Sequence, residues 1–320
     1  MAPLTTNTKD SPQGFRLGLL SAEQEDAGLR FALGQLPEAE FRQNVAMLQA
    51  SARRDPPSPF GLWGAWRSEE LVAALLFQVQ PGRTASVWPP TFDADEPIAT
   101  ATQLLKAVVG QFAQSGVRMI QAMLTTDLPR EAEPLLATGF HHVSDLLYLV
   151  SAADEFPRAV PCPGLEFVPY SPALHTRLAR LVEATYEGTL DCPAVNGVRE
   201  IDDVLLGYRA TGQFEPRHWL LVRYGPLDIG CLIVANHPGQ DTCELIYMGI
   251  LPEARGHGWG VWIARHAQWL AGQSGQSRLV LAVDAANEPA LRMYAAVGFR
   301  AWDQRSVFVK LLHENEPLGQ

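Results

Sequence analysis

The chain has 320 residues, of which 47% are hydrophobic and 19% charged, and its formal net charge is -10. This length suits two domains of ordinary size, each with its own core. The negative charge argues against nucleic acid as the main partner, because phosphate backbones require a basic face. The apolar runs are too short to span a membrane and the N-terminus lacks a signal-peptide pattern, so we expect a soluble cytoplasmic protein without membrane partners.

The first half of the chain predicts alternating strands and helices from its hydrophobic periodicity. The predicted strands are 14–20, two within 62–80, 85–88, 117–124 and 145–150, and the predicted helices are 38–50, 98–114 and 131–137. Segment 156–164 then carries three prolines and a glycine, which predicts an extended linker. We therefore expect one domain over residues 1–155 and a second over residues 162–313.

The second half repeats this order of elements. The predicted strands are 165–170, 219–224, 229–236, 243–250, 278–283, 299–302 and 306–312, and the predicted helices lie within 172–210 and over 259–272 and 288–297. Gly139-Phe140 follows Leu124 by the same fifteen residues that separate Gly298 from Val283. The two halves are therefore predicted to be structural repeats.

The four cysteines do not suggest a metal site or a disulfide framework. Cys162, Cys192, Cys231 and Cys243 include no Cys-x-x-Cys pair, so buried reduced thiols are expected. His257 and His266 have no partners at ligand spacing, and we expect no metal.

A glycine-rich turn follows the predicted strand 243–250 and opens directly into a helix. It reads Arg255-Gly256-His257-Gly258-Trp259-Gly260. Glycines let a ligand approach the backbone, and the unpaired N–H groups of a first helical turn face an anion. A dinucleotide motif fails because its third glycine is Val261, and a P-loop fails because no Gly-Lys-Ser/Thr follows.

The turn Arg-x-x-Gly-x-Gly, followed by Asn287-x-x-Ala290-x-x-x-Tyr294-x-x-x-Gly298-Phe299, resembles the GNAT superfamily of acyl-CoA-dependent N-acyltransferases over most of residues 164–312. The resemblance implies an α/β fold with a mixed sheet, present as two tandem GNAT-like domains. It also implies an enzyme that moves an acetyl group from acetyl-CoA, as cosubstrate, to a primary amine of a small molecule or a protein. A non-catalytic acyl-CoA-binding or partner-binding module is the alternative.

The resemblance further implies which residues hold coenzyme A. The turn would bind the pyrophosphate and the preceding strand the pantetheine arm. Asn287 is placed to cap the helix starting at Glu288, and the resemblance adds a contact with pantetheine. The implied cofactor-binding residues are Met248, Gly249, Ile250, Arg255, Gly256, His257, Gly258, Trp259, Gly260 and Asn287.

Tyr294 is the implied general acid for the departing thiolate, because a phenol with a pKa near 10 stays protonated at neutral pH. A core tyrosine is the alternative reading. An N–H on strand 243–250, of Met248 or Ile250, would stabilise the oxyanion.

The base that deprotonates the amine is predicted to be Glu244, whose side chain should share a strand face with Ile246 and Met248. A solvent-facing glutamate at the start of the strand is an equal alternative. Tyr247 on the opposite face could position the acceptor. Glu187 and Asp191 could attract a cationic amine or could be solvated loop acids.

The first half lacks these features at the corresponding positions. The offset between the Gly-Phe pairs aligns Tyr294 with Leu135, and segment 89–97 carries three acids and no glycine, which would repel a pyrophosphate. We expect a degenerate domain that does not bind acetyl-CoA and that orients or shields the second. This tandem arrangement is similar to that of mycothiol synthases, although shared architecture does not establish a shared substrate. The acceptor, the acyl length and the oligomeric state are not specified by the sequence.

Overall fold

The computed structural model describes residues 9–10, 14–34, 36–53, 57–125, 129–161, 164–237 and 239–312. These residues form two compact units, each of which takes a segment from the other half of the chain. Unit 1 runs to Val143 and includes 306–312, whereas unit 2 runs from Ser144 to Arg305. The sequence-based domains, 1–155 and 162–313, stay a prediction about which parts fold independently. Cys162 lies outside the described residues.

Unit 1 contains a mixed sheet with helices on both faces. Its elements are β1 (Lys9–Asp10), β2 (Arg16–Leu19), α1 (Glu25–Leu33), α2 (Glu38–Ala52), β3 (Phe60–Arg67), β4 (Glu70–Gln80), β5 (Thr84–Val87), β6 (Thr91–Phe92), α3 (Ile98–Phe112), β7 (Met119–Thr125) and α4 (Pro129–Ala137). Strands β1 to β5 pair antiparallel in chain order, and β7 adds parallel to β5. The short β6 pairs with β4.

The sheet of unit 1 is buried on both faces. Adjacent residues Leu75 and Leu76 of β4 are both fully buried, and they belong to different core clusters. Leu75 packs in the cluster that contains α3 and α4, and Leu76 in the cluster that contains α1 and α2. This follows from the alternation of side chains along a strand.

Helix α1 is an element that the sequence analysis missed. Gly28 lies in its middle, and glycine lowers the expectation of a helix. In the structure a Cβ atom at this position would overlap the side chain of Leu20. The glycine is therefore needed for close packing of α1 against the chain beside it.

Unit 2 repeats the order of unit 1. Its elements are β8 (His141–Ala152, from Ser144 onward), β9 (Leu165–Pro169), α5 (His175–Ala184), α6 (Ile201–Ala210), β10 (Trp219–Tyr224), β11 (Leu227–His237), β12 (Thr242–Ile250), α7 (Trp259–Gln273), β13 (Arg278–Asp284), α8 (Glu288–Ala296) and β14 (Arg300–Leu311, up to Arg305). Strands β9 to β12 pair antiparallel, β13 adds parallel to β12, and β8 pairs antiparallel with β13.

Two cores cover the two faces of the unit 2 sheet. Helices α7 and α8 pack over one face with Leu232, Val234 and Leu279, and α5 and α6 over the other with Leu221 and Ile233. No helix among the described residues is long and apolar enough to cross a membrane.

The C-terminal strand differs from the sequence prediction. Two strands, 299–302 and 306–312, were expected, but β14 is continuous from Arg300 to Leu311. The polar residues between them resemble a turn in sequence. In the structure Arg305 pairs with Asp303 at 2.8 Å, two residues away on the same face of the strand.

The repeat of the two halves is visible in element boundaries. Strands β7 and β13 start 159 positions apart, at Met119 and Arg278, and so do α4 and α8. Helices α3 and α7 start 161 positions apart, at Ile98 and Trp259. The offset between the halves therefore changes by two residues between these helices and the strands that follow them, and Pro97 corresponds to Gly258.

Candidate functional site

A gap between two strands of unit 2 forms the site. β12 and β13 pair only from Thr242 with Arg278 to Glu244 with Val280. Beyond Glu244 the two strands have no registered pairs with each other, although both continue. A cavity of about 410 Å³ occupies this region, within the range of small-molecule sites.

The cavity brings together most of the sequence-predicted site residues. Those that line it are Met248, Gly249, Ile250, Arg255, Gly256, Gly258, Trp259, Gly260, Asn287, Tyr294, Asp191 and Tyr247. Those that do not line it are Glu244, Glu187 and His257.

A β-bulge in β12 corrects the predicted strand faces. Ile233 of β11 pairs with Tyr247 and the next residue, Val234, pairs with Leu245, so Ile246 is the extra residue. The bulge interrupts the alternation of side chains between the two faces of β12. Met248 packs in the core of α7 and α8, whereas Ile246 and Tyr247 pack in the core of α5 and α6. The prediction that Ile246 and Met248 share a face is therefore wrong, as is the prediction that Tyr247 lies opposite Ile246.

The edge of β12 presents backbone groups to the gap. The Leu251 N–H donates to the Ile229 carbonyl at 2.9 Å, on the β11 side. Because N–H directions alternate along an antiparallel strand, the N–H groups of Ile250 and Met248 point to the opposite edge, toward the cavity.

The glycine turn provides a row of free amides. Gly256 and Gly258 have φ angles of 81° and 77°, and a Cβ atom at either would meet nothing within 4 Å. Their positive φ favours glycine, and the open space permits close approach. The N–H groups of residues 256–260 donate to no acceptor among the described residues. This N-terminus of α7 therefore has the donors and the dipole to hold a phosphate.

Arg255 has a role that the sequence did not reveal. Its guanidinium donates to three backbone carbonyls, those of Ile250 at 3.1 Å, Gly188 at 3.0 Å and Thr185 at 2.9 Å. It thereby ties the segment after α5 to the end of β12. A Cβ at Gly249 would overlap the side chain of Thr185, so this glycine allows the same close approach.

Asn287 caps α8 as predicted. Its side-chain oxygen accepts from the Ala290 N–H at 3.3 Å, and Pro289 lies in the first turn. Asn287 also lines the cavity.

Tyr294 packs in the core and still has a free hydroxyl. The side chain is 5% exposed, and its ring contacts Phe299 edge to face at 5.3 Å. The hydroxyl makes no hydrogen bond to a described residue, and Tyr294 lines the cavity. Burial, with a smaller contribution from the charge of Asp191, raises the pKa of this phenol above its usual value. The hydroxyl is therefore a protonated donor at neutral pH.

The acceptor side of the cavity is formed by β12 and the segment after α5. Asp191 and Tyr247 line it, and the Tyr247 hydroxyl lies 2.7 Å from the Thr185 hydroxyl. Burial raises the pKa of Asp191, and the charge of Asp284 adds to this effect.

Glu244 lies apart from this cavity. Its Oε2 is 2.7 Å from Nε2 of His237, at the start of β12. Its role as base stays a prediction.

Asp284 is a site neighbour that the sequence analysis missed. It is 5% exposed and follows the last predicted residue of β13. An acid at the carboxyl end of a parallel strand was the available signal. Among the described residues, no group of three His, Cys, Asp or Glu side chains could hold a metal ion.

Comparison with known families matches residues 178–299 to the acetyltransferase (GNAT) family. A search of curated proteins gives no match. The family uses an acyl-CoA cosubstrate and an amine acceptor.

Solved structures match nearly the whole chain. A GCN5-related N-acetyltransferase from Sphaerobacter thermophilus is 17% identical, with a TM-score of 0.62 over 96% of this chain and 98% of that one. A tandem GNAT protein from the clavulanic acid biosynthesis pathway is 16% identical, with a TM-score of 0.55 over 94% and 100%. A glucosamine N-acetyltransferase region of a fungal multi-domain GH3 beta-N-acetylglucosaminidase is 15% identical, with a TM-score of 0.62 over 97% of this chain and 38% of that one. These likenesses establish the fold and confirm the predicted tandem GNAT-like architecture.

Proposed function

Residues 178–299 match the acetyltransferase (GNAT) family, and on this premise we propose that the chain moves an acetyl group from acetyl-CoA to a primary amine by direct attack. The observation that carries this proposal is a single cavity with two features. It has a row of amides at the N-terminus of α7 and the hydroxyl of Tyr294, none of which is paired with a described residue.

The cosubstrate is proposed to bind along the opened edge of β12 and into the turn. The N–H groups of residues 256–260 would hold the pyrophosphate, since they have no acceptor among the described residues. The free edge of Met248 to Ile250 would pair with the amide-containing pantetheine arm. Asn287 lines the same cavity and would contact that arm beyond its capping bond.

Two groups are proposed to assist the reaction at the thioester. The N–H of Met248 or Ile250 would stabilise negative charge on the carbonyl oxygen, because both point toward the gap. Tyr294 would protonate the leaving sulfur, and its burial supports this role by keeping the phenol neutral. Glu244 pairs with His237 and does not line the cavity, so any proton that it takes from the amine would have to pass through water.

Unit 1 is proposed not to bind acetyl-CoA. The turn before α3 has no glycine, and Pro97 at the helix N-cap has no N–H to donate. Glu96 beside it is 7% exposed and is bound by Arg67 through two bonds of 2.9 Å and 2.7 Å. A carboxylate therefore lies where a phosphate would be needed, and it would repel one.

The test combines calorimetry with an acetyl-transfer assay. Titration of the full chain with coenzyme A should give one site per chain, and two equivalent sites would contradict the proposed inactivity of unit 1. Incubation with labelled acetyl-CoA and a panel of primary amines should give labelled amide. Binding without transfer to any amine would favour a non-catalytic acyl-CoA-binding module instead.

A further inference from the structure

A half-buried aspartate, Asp191, and a buried one, Asp284, hold each other in place at the acceptor side of the cavity. Asp191 Oδ1 accepts from the Asp284 N–H at 2.9 Å, and Asp284 Oδ2 accepts from the Cys192 N–H at 3.1 Å. This reciprocal pairing links the segment between α5 and α6 to the end of β13. Cys192 precedes a proline and has a φ of 45°, a strained conformation that the surrounding bonds must maintain.

The two carboxylates differ in whether an oxygen atom remains without a hydrogen-bond donor. Asp284 uses both oxygens, since its Oδ1 also accepts from the Ala286 N–H at 2.8 Å. The Oδ2 atom of Asp191 has no partner among the described residues, and Asp191 lines the cavity whereas Asp284 does not. Asp191 is therefore the member of the pair that can receive a ligand.

No cation among the described residues neutralises Asp191. The titratable groups that interact with it are Asp284 at the end of β13, the Cys192 thiol, Tyr247 on β12 and Tyr294 on α8. Burial raises the pKa of Cys192 to about 12, so this thiol is neutral. Arg255, which also lines the cavity, has its guanidinium bound to three carbonyls. A partly desolvated carboxylate without a partner charge is unfavourable, and a cationic ligand would stabilise it.

Tyr294 gives an independent indication that a ligand occupies this space. The residue is 5% exposed and lines the cavity, and its hydroxyl makes no hydrogen bond to a described residue. Polar atoms of a residue as buried as Tyr294 are normally hydrogen-bonded, so we expect a group in the cavity to pair with this hydroxyl.

From this geometry we infer that Asp191 is a catalytic residue that binds the acceptor as an ammonium ion and accepts its first proton, and that the acceptor is a primary amine without a neighbouring carboxylate. The inference rests on the proposed function. A carboxylate beside the amine would face both Asp191 and Asp284 and be repelled.

The step balances with the groups present. The ammonium gives one proton to Asp191, and the nitrogen lone pair forms the bond to the thioester carbonyl carbon. The carbon–sulfur bond breaks with its electron pair on sulfur, which takes the proton of Tyr294. The second proton of the nitrogen restores the Tyr294 hydroxyl, and Asp191 releases its proton to solvent. The products are the amide, the thiol and one proton.

Binding is tested first, by titrating the full chain saturated with coenzyme A. The probes are two matched pairs that differ by a carboxylate, ethanolamine with serine and phenethylamine with phenylalanine. The variant is Asp191→Asn, which retains an oxygen for the Asp284 N–H. The control is Glu183→Gln on α5, which makes the same charge change at an exposed residue that does not line the cavity.

We expect at least one of the two amines to bind the wild type and Glu183→Gln equally, and to bind Asp191→Asn about tenfold or more weakly, as for the loss of a charged hydrogen bond. The carboxylated partner of that amine should bind the wild type at least tenfold less tightly than the amine. Equal binding to Asp191→Asn, equal binding of the carboxylated partner, or no binding of either amine would each overturn the inference.

Turnover with acetyl-CoA then separates the two proposals. Asp191→Asn should lower kcat/KM about 100-fold or more, as expected for loss of a general base, with coenzyme A affinity unchanged. Transfer that is unaffected by Asp191→Asn would overturn the inference and leave the proposed function standing. Amine binding that depends on Asp191 without any transfer would contradict the proposed function, while the ammonium site would stand.

Discussion

Leu135 in α4 and Tyr294 in α8 lie at equivalent positions in two helices that end in the same way. The N–H of Phe140 donates to the Leu135 carbonyl, and the N–H of Phe299 donates to the Tyr294 carbonyl, both at 3.0 Å. The glycine before each phenylalanine has a positive φ, 80° in unit 1 and 88° in unit 2. Leu135 is fully buried and apolar, whereas Tyr294 adds a hydroxyl to the same packing. The backbone of the fold is thus independent of the group proposed for chemistry.

The turns before α3 and α7 also occupy equivalent positions in the two units and differ in their chemical groups. In unit 2 the helix N-cap is Gly258, with open space around it and free amides beside it. In unit 1 the N-cap is Pro97, and the carboxylate of the neighbouring Glu96 accepts hydrogen bonds from Arg67 and from the Thr100 hydroxyl. The comparison indicates that a helix N-terminus alone does not make a phosphate site, because it also needs unoccupied donors.

The largest effect is expected from Tyr294→Phe, which makes α8 resemble α4 in chemistry without removing the ring contact to Phe299. Turnover should fall by about 100-fold or more, the usual contribution of a general acid. The dissociation constant of coenzyme A should stay within about twofold, since the hydroxyl is proposed to act on the sulfur only as it leaves. Steady-state kinetics and calorimetry measure the two quantities.

Tyr208→Phe is the matched control for this substitution. Tyr208 is a tyrosine that packs against Tyr247 and does not line the cavity, so its variant should keep wild-type turnover. Unchanged turnover in Tyr294→Phe would remove Tyr294 from the mechanism and leave it a core residue like Leu135.

A smaller effect is expected from Gly258→Ala, which tests the difference between the two turns. An alanine at a φ of 77° costs about 1–2 kcal/mol, and the turn would relax away from the conformation that aims its amides. Coenzyme A affinity should fall about tenfold by calorimetry.

Gly275→Ala is the control, because Gly275 also has a positive φ of 71° and open space, but lies after the end of α7. It should show a similar loss of stability with no change in affinity. Equal losses of affinity in both variants would mean that the turn before α7 has no special part in binding.

The sequence predicts the order of elements well because most of them carry strong periodicity or clear turns. Residues 38–50 and 98–114 are close to the observed α2 and α3. Helix α1 escapes prediction because its Gly28 is selected by packing against Leu20, a contact made only in the folded state. The continuity of β14 likewise depends on pairing that a local reading does not contain.

Some features of the site arise from local sequence motifs, and others arise only from contacts between distant parts of the chain. The glycine turn and the cap at Asn287 are local motifs, and both are visible in the sequence. The bulge at Ile246 is not visible in the sequence. It places Tyr247 in the same core as Ile246, whereas the sequence predicted opposite strand faces for these two residues. Arg255 reaches the carbonyls of Thr185 and Gly188, about seventy residues away along the chain, so its bracing role requires the fold.

The smallest effect is expected from Glu96→Gln in unit 1. Glu96 has a pKa below its usual value, first because of the bond from Arg67 and then because of that from the Thr100 hydroxyl. A carboxyl with a depressed pKa in the folded state stabilises the protein above its unfolded pKa, and this stabilisation is lost as the pH falls through the folded value. Glu96→Gln should therefore lower Tm by about 2–4 °C at neutral pH, and the difference should vanish at acidic pH.

Thermal melts from neutral pH to below pH 4 measure this effect, with Glu40→Gln on exposed α2 as a control that should leave Tm unchanged. A Tm difference that persists in acid would mean that the charge of Glu96 is not its cause.

Calorimetry on Glu96→Gln tests the comparison between the turns before α3 and α7. Because Pro97 has no N–H, removing the charge of Glu96 should not create a second coenzyme A site. A second coenzyme A site in Glu96→Gln would mean that unit 1 has a phosphate-binding turn that the carboxylate of Glu96 blocks. The difference between the two turns would then lie in charge alone and not in the missing N–H donors.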